Sequence, residues 1–187
     1  MPAPFVIDVP QTSTEDDGTA RCSCIHTEAN MTTKTIENAG TTAEVETTIH
    51  AAKSRVWHAL TDPSAIREYY LGATVRTDWS VGGPITWSGE WNGKQYEDKG
   101  EILAFEPERE LRFSHWSTKS GSTHKPEDYH IVTIALEDAG KDTRVTLTQS
   151  NASGQVTDAD REHRADFEKN WSTMLEGLKR VVERSKQ

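Results

Sequence analysis

Phe167, Trp171, Met174, Leu175, Leu178 and Val182 recur near the C-terminus at spacings of four, three, one, three and four residues. That rhythm is one apolar stripe on a helix whose other face is charged. Thr157 and Asp158 are both good N-caps for it, so a long helix is expected to start there. Burying six such side chains yields on the order of 10 kcal/mol before chain entropy is subtracted. A helix with that stripe has to dock on something, and the segments before it read as strands.

Val45 and Ile49 alternate with Glu44, Glu46 and Thr48, as expected of a half-buried strand over Ala43 to Ile49. Val56, Trp57 and Leu60 then fall at helical spacing in a short helix over Lys53 to Thr61. Asp62-Pro63 stops it, because the residue before a proline avoids the α region. Ser64 is placed to cap a second short helix through Tyr70. Six strands follow with turn residues between them: Ala73 to Trp79, Ile85 to Trp91, Tyr96 to Phe105, Glu110 to Trp116, Asp128 to Glu137 and Thr143 to Gln149. Asn92-Gly93 is the strongest hairpin signal. The expected architecture is α+β, a curved antiparallel sheet around the long C-terminal helix, formed by residues 41–187.

Residues 1–40 have a different composition, rich in Pro, Thr, Ser, Glu and Asp with no sustained apolar period, and read as a disordered extension. Met31 stands shortly before the first patterned strand and is a candidate true start. Cys22, Cys24 and His26 form a C-x-C-x-H cluster in this segment. It has three potential zinc ligands but no second ligand group nearby, so no metal site is expected. Both cysteines of the chain lie here, so no disulfide can staple the core.

The net charge of −9, without a basic run, argues against nucleic-acid binding and against anionic membrane surfaces. No stretch has the roughly 20 apolar residues of a membrane span, and there is no secretory signal pattern. The cytoplasm is the expected compartment. Neither nucleotide-binding glycine motifs nor serine-hydrolase or zinc-protease signatures occur, and no cofactor is expected.

Three segments carry a family resemblance: Ser54-Arg55-Val56-Trp57-His58-Ala59-Leu60-Thr61-Asp62-Pro63, the turn Val81-Gly82-Gly83, and Asn170-Trp171-Ser172-Thr173-Met174-Leu175-Glu176-Gly177-Leu178-Lys179. With the element order, they resemble the START/Bet v-like helix-grip superfamily, and within it the group named for homology to the activator of heat-shock protein ninety's ATPase. The resemblance implies a cavity between sheet and helix. It does not imply a chaperone role, since the superfamily holds carriers, receptors, cyclases and proteins of no known activity.

Strand parity proposes what faces that cavity. Leu111, Phe113 and His115 share one face of their strand, and Arg112, Ser114 and Trp116 the other. Ile85, Trp87, Trp91, Val132, Ile134, Leu136, Val145 and Leu147 also face inward. The candidate ligand-binding residues are Trp87, Trp91, Phe113, His115, Val132, Ile134, Trp171 and Leu175. The competing reading is that the aromatics merely fill the core and that His115 is a hydrogen-bonded core histidine. As a general base His115 would need a placed partner. His130 is inward by parity, though near a strand end where exposure is expected. Glu90, Glu97 and Glu101 read as solvated. The expected function is binding of a small hydrophobic or amphipathic molecule. The alternatives are a cyclase- or hydrolase-like enzyme using His115, or a protein-interaction module, perhaps chaperone-associated, presenting Arg112 and Trp116.

Overall fold

The computed structural model describes residues 40–118, 125 and 128–184. Strand β1 (Thr41–Ile49) is followed by helices α1 (Lys53–Thr61) and α2 (Pro63–Tyr69). Strands β2 (Thr74–Arg76), β3 (Pro84–Trp91), β4 (Lys94–Glu106), β5 (Glu110–His115), β6 (His130–Ala139) and β7 (Asp142–Asn151) come next, then helix α3 (Asp158–Arg184). The strands form one antiparallel seven-stranded sheet in the order β1-β7-β6-β5-β4-β3-β2. The expected helix-grip arrangement is therefore present, with the sheet curved around α3.

Each element has a local cause. Asn92 and Gly93 both have positive φ, 50° and 75°, as a type I′ hairpin requires, and they join β3 to β4. Asp62 is extended, with φ −87° and ψ 120°, as its place before Pro63 dictates. It ends α1 and also caps α2, its carboxylate accepting from the Ala65 N–H at 2.8 Å. The cap expected at Ser64 thus falls two residues earlier, at Asp62: Ser64 lies inside α2 and its hydroxyl donates to Asp62. Thr157 begins α3 as expected, its Oγ1 accepting from the Asp160 N–H at 3.1 Å.

One strand is much shorter than its pattern. The Ala73 to Trp79 segment keeps only Thr74–Arg76 as strand. Thr77 Oγ1 accepts from the Trp79 N–H, and Asp78 Oδ1 from the Ser80 N–H, so side chains divert the backbone from the ladder. The two strands expected over Glu110 to Trp116 and Asp128 to Glu137 hold in type, with ends moved by one or two residues.

The buried stripe of α3 comprises Phe167, Trp171, Met174, Leu175, Leu178 and Val182, the same six residues as in the sequence pattern. Gly177 lies within it because α2 passes there: a Cβ would meet the Tyr69 carbonyl oxygen at 2.9 Å. This close approach seats the C-terminal end of α2 on the helix and encloses the space between helix and sheet.

Candidate functional site

The space between α3 and the sheet is mostly filled. A cavity of about 40 Å³ remains among Leu60, Ile66, Tyr69, Tyr70, Trp79, Ile85, Trp87, Leu111, Phe113, Ile134, Trp171 and Met174. Trp87 and Phe113 pack with ring centroids 5.1 Å apart. Tyr69, Tyr70 and Trp79 are only half-buried and form the rim. Trp79 adopts φ 61°, a conformation costly for a bulky side chain, and its ring lies 5.7 Å from Phe105.

Four of the eight sequence candidates, Trp87, Phe113, Ile134 and Trp171, line this cavity. Val132 and Leu175 are fully buried in the core and do not line it. Trp91 lies on β3, and its side chain is outside the described residues. His115 is buried behind the wall, its ring 5.4 Å from Trp87 and 6.4 Å from Trp171.

Beside His115 stands a residue that sequence reasoning missed. Asp98 is 6% exposed, and its Oδ2 lies 3.6 Å from His115 Nε2. The Ser117 hydroxyl donates to Asp98 Oδ1 at 2.9 Å, and the Thr118 N–H at 3.1 Å. Burial alone would raise the Asp98 carboxyl, but the His115 interaction and the Ser117 and Thr118 donors hold it below its ordinary value. The available signal was parity, since Asp98 shares a face with buried Ile102 on β4. The contact also depends on Gly100, where a Cβ would fall 1.7 Å from the Ser114 carbonyl oxygen. Only glycine permits so close an approach of β4 to β5, next to the irregularity between Ile102 and Ala104.

Two other polar groups are buried on the inner side. The Trp171 indole N–H donates to Gln149 Oε1 at 2.7 Å, and Gln149 Nε2 donates to Thr42 Oγ1 at 3.3 Å. His130 is half-buried rather than exposed, and its Nε2 donates to Asp160 Oδ1 at 3.0 Å. On the outer face, Arg112 pairs with Glu110 at 2.9 Å, and Trp116 is half-buried and bridged through its backbone to Lys99.

Among the described residues, no group of three or more His, Cys, Asp or Glu is placed to hold a metal ion. The Cys22, Cys24 and His26 cluster and residues 1–39 lie outside the described residues. No helix among the described residues is long and apolar enough to cross a membrane.

A seven-stranded antiparallel sheet closed by a long C-terminal helix over an apolar cavity defines a helix-grip protein. The family model described as "Activator of Hsp90 ATPase homolog 1-like protein" matches residues 50–183, and the chain belongs to that family. The solution structure of ChR145 from Cytophaga hutchinsonii is 46% identical, with a TM-score of 0.62, covering 76% of this chain and 94% of that one. Protein MLL2253 from Mesorhizobium loti is 23% identical, with a TM-score of 0.62, and the match covers 77% and 98% of the two chains. The Aha1 dimer from Colwellia psychrerythraea is 20% identical, with a TM-score of 0.57, covering 78% and 98%. The last two show likeness of fold alone. No curated protein matches the chain.

Proposed function

We propose that this protein binds a small, largely apolar molecule between the sheet and α3, in the cavity lined by Trp87, Phe113, Ile134 and Trp171. The observation that carries the reading is an apolar cavity with the buried His115–Asp98 pair set directly behind its aromatic wall. A core built only for stability gains little from a buried His–Asp pair that apolar residues of the same volume could replace.

At about 40 Å³ the cavity admits a few water molecules. Ligand pockets are usually several hundred Å³, on the order of 300 to 1,000. The structure is thus read as a closed form, and a ligand enters by displacing side chains at the half-buried rim formed by Tyr69, Tyr70 and Trp79. The test is titration with para-xylene, an uncharged apolar probe, followed by tryptophan emission and by the thermal midpoint. Binding to the wild type is expected, with loss in Ile134→Phe, which adds a ring at the lining. If the wild-type emission and midpoint stay unchanged at saturating probe, the aromatics are core and the reading fails.

The placed carboxylate of Asp98 also favours a second reading, an enzyme in which His115 handles a proton. That reading requires a turnover lost in His115→Ala and kept in His163→Ala.

A further inference from the structure

The geometry points to selection at one end of the cavity: it takes a ligand whose apolar body carries a hydrogen-bond-donating head, a hydroxyl or uncharged amine, and it rejects a carboxylate. This rests on the ligand-binding reading above.

The inference starts from where Asp98 sits. Asp98 is the register partner of Trp87 across β3 and β4, so the two side chains share the inner face. Trp87 is itself a wall of the cavity, and it touches Phe113 on one side and His115 on the other. The carboxylate therefore lies one cross-strand neighbour from the open space. Tyr70 approaches the same end from α2: burial first, and then the charge of Asp98, push its phenol up, and Tyr96 is affected by both as well. A residue that lines the cavity thus feels the charge of the carboxylate.

The carboxylate at this end is held in its ionised form. Every described contact of Asp98 comes from a donor, namely Ser117, Thr118 and His115, as an ionised carboxylate requires. Asp98 is buried one residue from the lining, so a ligand anion at this end would face its charge at low effective dielectric. A hydroxyl or amine hydrogen, by contrast, is attracted toward the Asp98 carboxylate and meets the Tyr70 hydroxyl at the lining. The other buried polar groups do not compete for this role. Gln149 is closed on Trp171 and Thr42, and Asp160 is taken up by the start of α3.

Three para-substituted ethylbenzenes test the assignment: para-ethylphenol and para-ethyltoluene, which are nearly isosteric, and the anion para-ethylbenzoate, each titrated onto the full chain near neutral pH. Hydrogen bonds to charged groups are strong enough that para-ethylphenol should bind about tenfold more tightly than para-ethyltoluene. Para-ethylbenzoate should bind more weakly than either. In Asp98→Asn the phenol preference should largely vanish and the benzoate should gain affinity. Equal binding of phenol and toluene by the wild type, or a benzoate that binds as well as the toluene, overturns the selection while leaving the cavity reading intact. Binding of none of the three overturns both. The wild-type ranking decides even if Asp98→Asn does not fold.

Discussion

His115 on β5 and His130 on β6 stand directly opposite each other in the sheet register, and each has its own aspartate. The two pairs nevertheless sit in different structural settings. Asp160 belongs to the first turn of α3: its Oδ2 accepts from the Thr157 N–H at 2.9 Å and from the Thr157 hydroxyl at 2.8 Å, while Thr157 Oγ1 accepts in return from the Asp160 N–H. His130 adds a donor from the sheet, and Phe167 covers its ring at 5.5 Å. This pair is a reciprocal helix cap extended to a neighbouring strand. Asp98 and His115 cap nothing, and lie instead behind two tryptophans that line a cavity. The lesson is that a His–Asp pair is assigned by what surrounds it, not by its composition.

The sharpest way to break this contrast leaves all four residues in place. Gly100→Ala puts a methyl group against the Ser114 carbonyl oxygen, where neither backbone can swing aside. It should destabilise the protein by roughly 3 kcal/mol in chemical denaturation and pull Asp98 away from His115. An unchanged midpoint would mean that β4 and β5 do not need this close approach.

Removing the carboxylates one at a time should show a smaller but unequal effect. Asp160→Ala loses a cap and strands His130 and Thr157, at a cost of about 2 kcal/mol. Asp98→Asn keeps the volume and one oxygen for the Ser117 and Thr118 donors, and should cost about 1 kcal/mol. Equal losses in thermal or urea unfolding would erase the distinction between a structural and a cavity pair.

The smallest effect is expected in the acid limb. For Asp160, burial is outweighed by the His130 and Thr157 hydrogen bonds, so its carboxyl, like that of Asp98, is held below the ordinary value. A depressed folded value means the unfolded chain binds protons first as pH falls. The stabilisation is then complete above the unfolded value of about 3.9 and is lost as pH drops through the folded values. Thermal midpoints should therefore decline below about pH 4, less steeply in Asp160→Ala than in the wild type. Identical acid slopes would show that Asp160 contributes nothing there.

Much of the fold was legible because its signals are local. Asn92-Gly93 demands a primed turn, Asp62-Pro63 demands an extended residue, and the Phe167 to Val182 stripe demands a helix with one buried face. Where reading failed, a nearby side chain competed for the same backbone group. Asp62 took the cap assigned to Ser64, and Thr77 and Asp78 shortened the strand ending at Trp79. Of the site, the inward aromatics Trp87, Phe113 and Trp171 were visible from period alone. Asp98 was overlooked because an acidic residue in a polar strand segment resembles its solvated neighbours Glu97 and Glu101.

The sequence by itself determined which elements form, in what order, and which face of each is apolar, since propensity, turn chemistry and periodicity act within a few residues. Tertiary structure alone decided that the space under α3 is narrow, that Tyr69, Tyr70 and Trp79 close its rim, and that Asp98 meets His115. Those features arise where separate elements approach one another. Their distances are set by close packing of whole faces and by a glycine that lets two strands draw together, which no local pattern encodes.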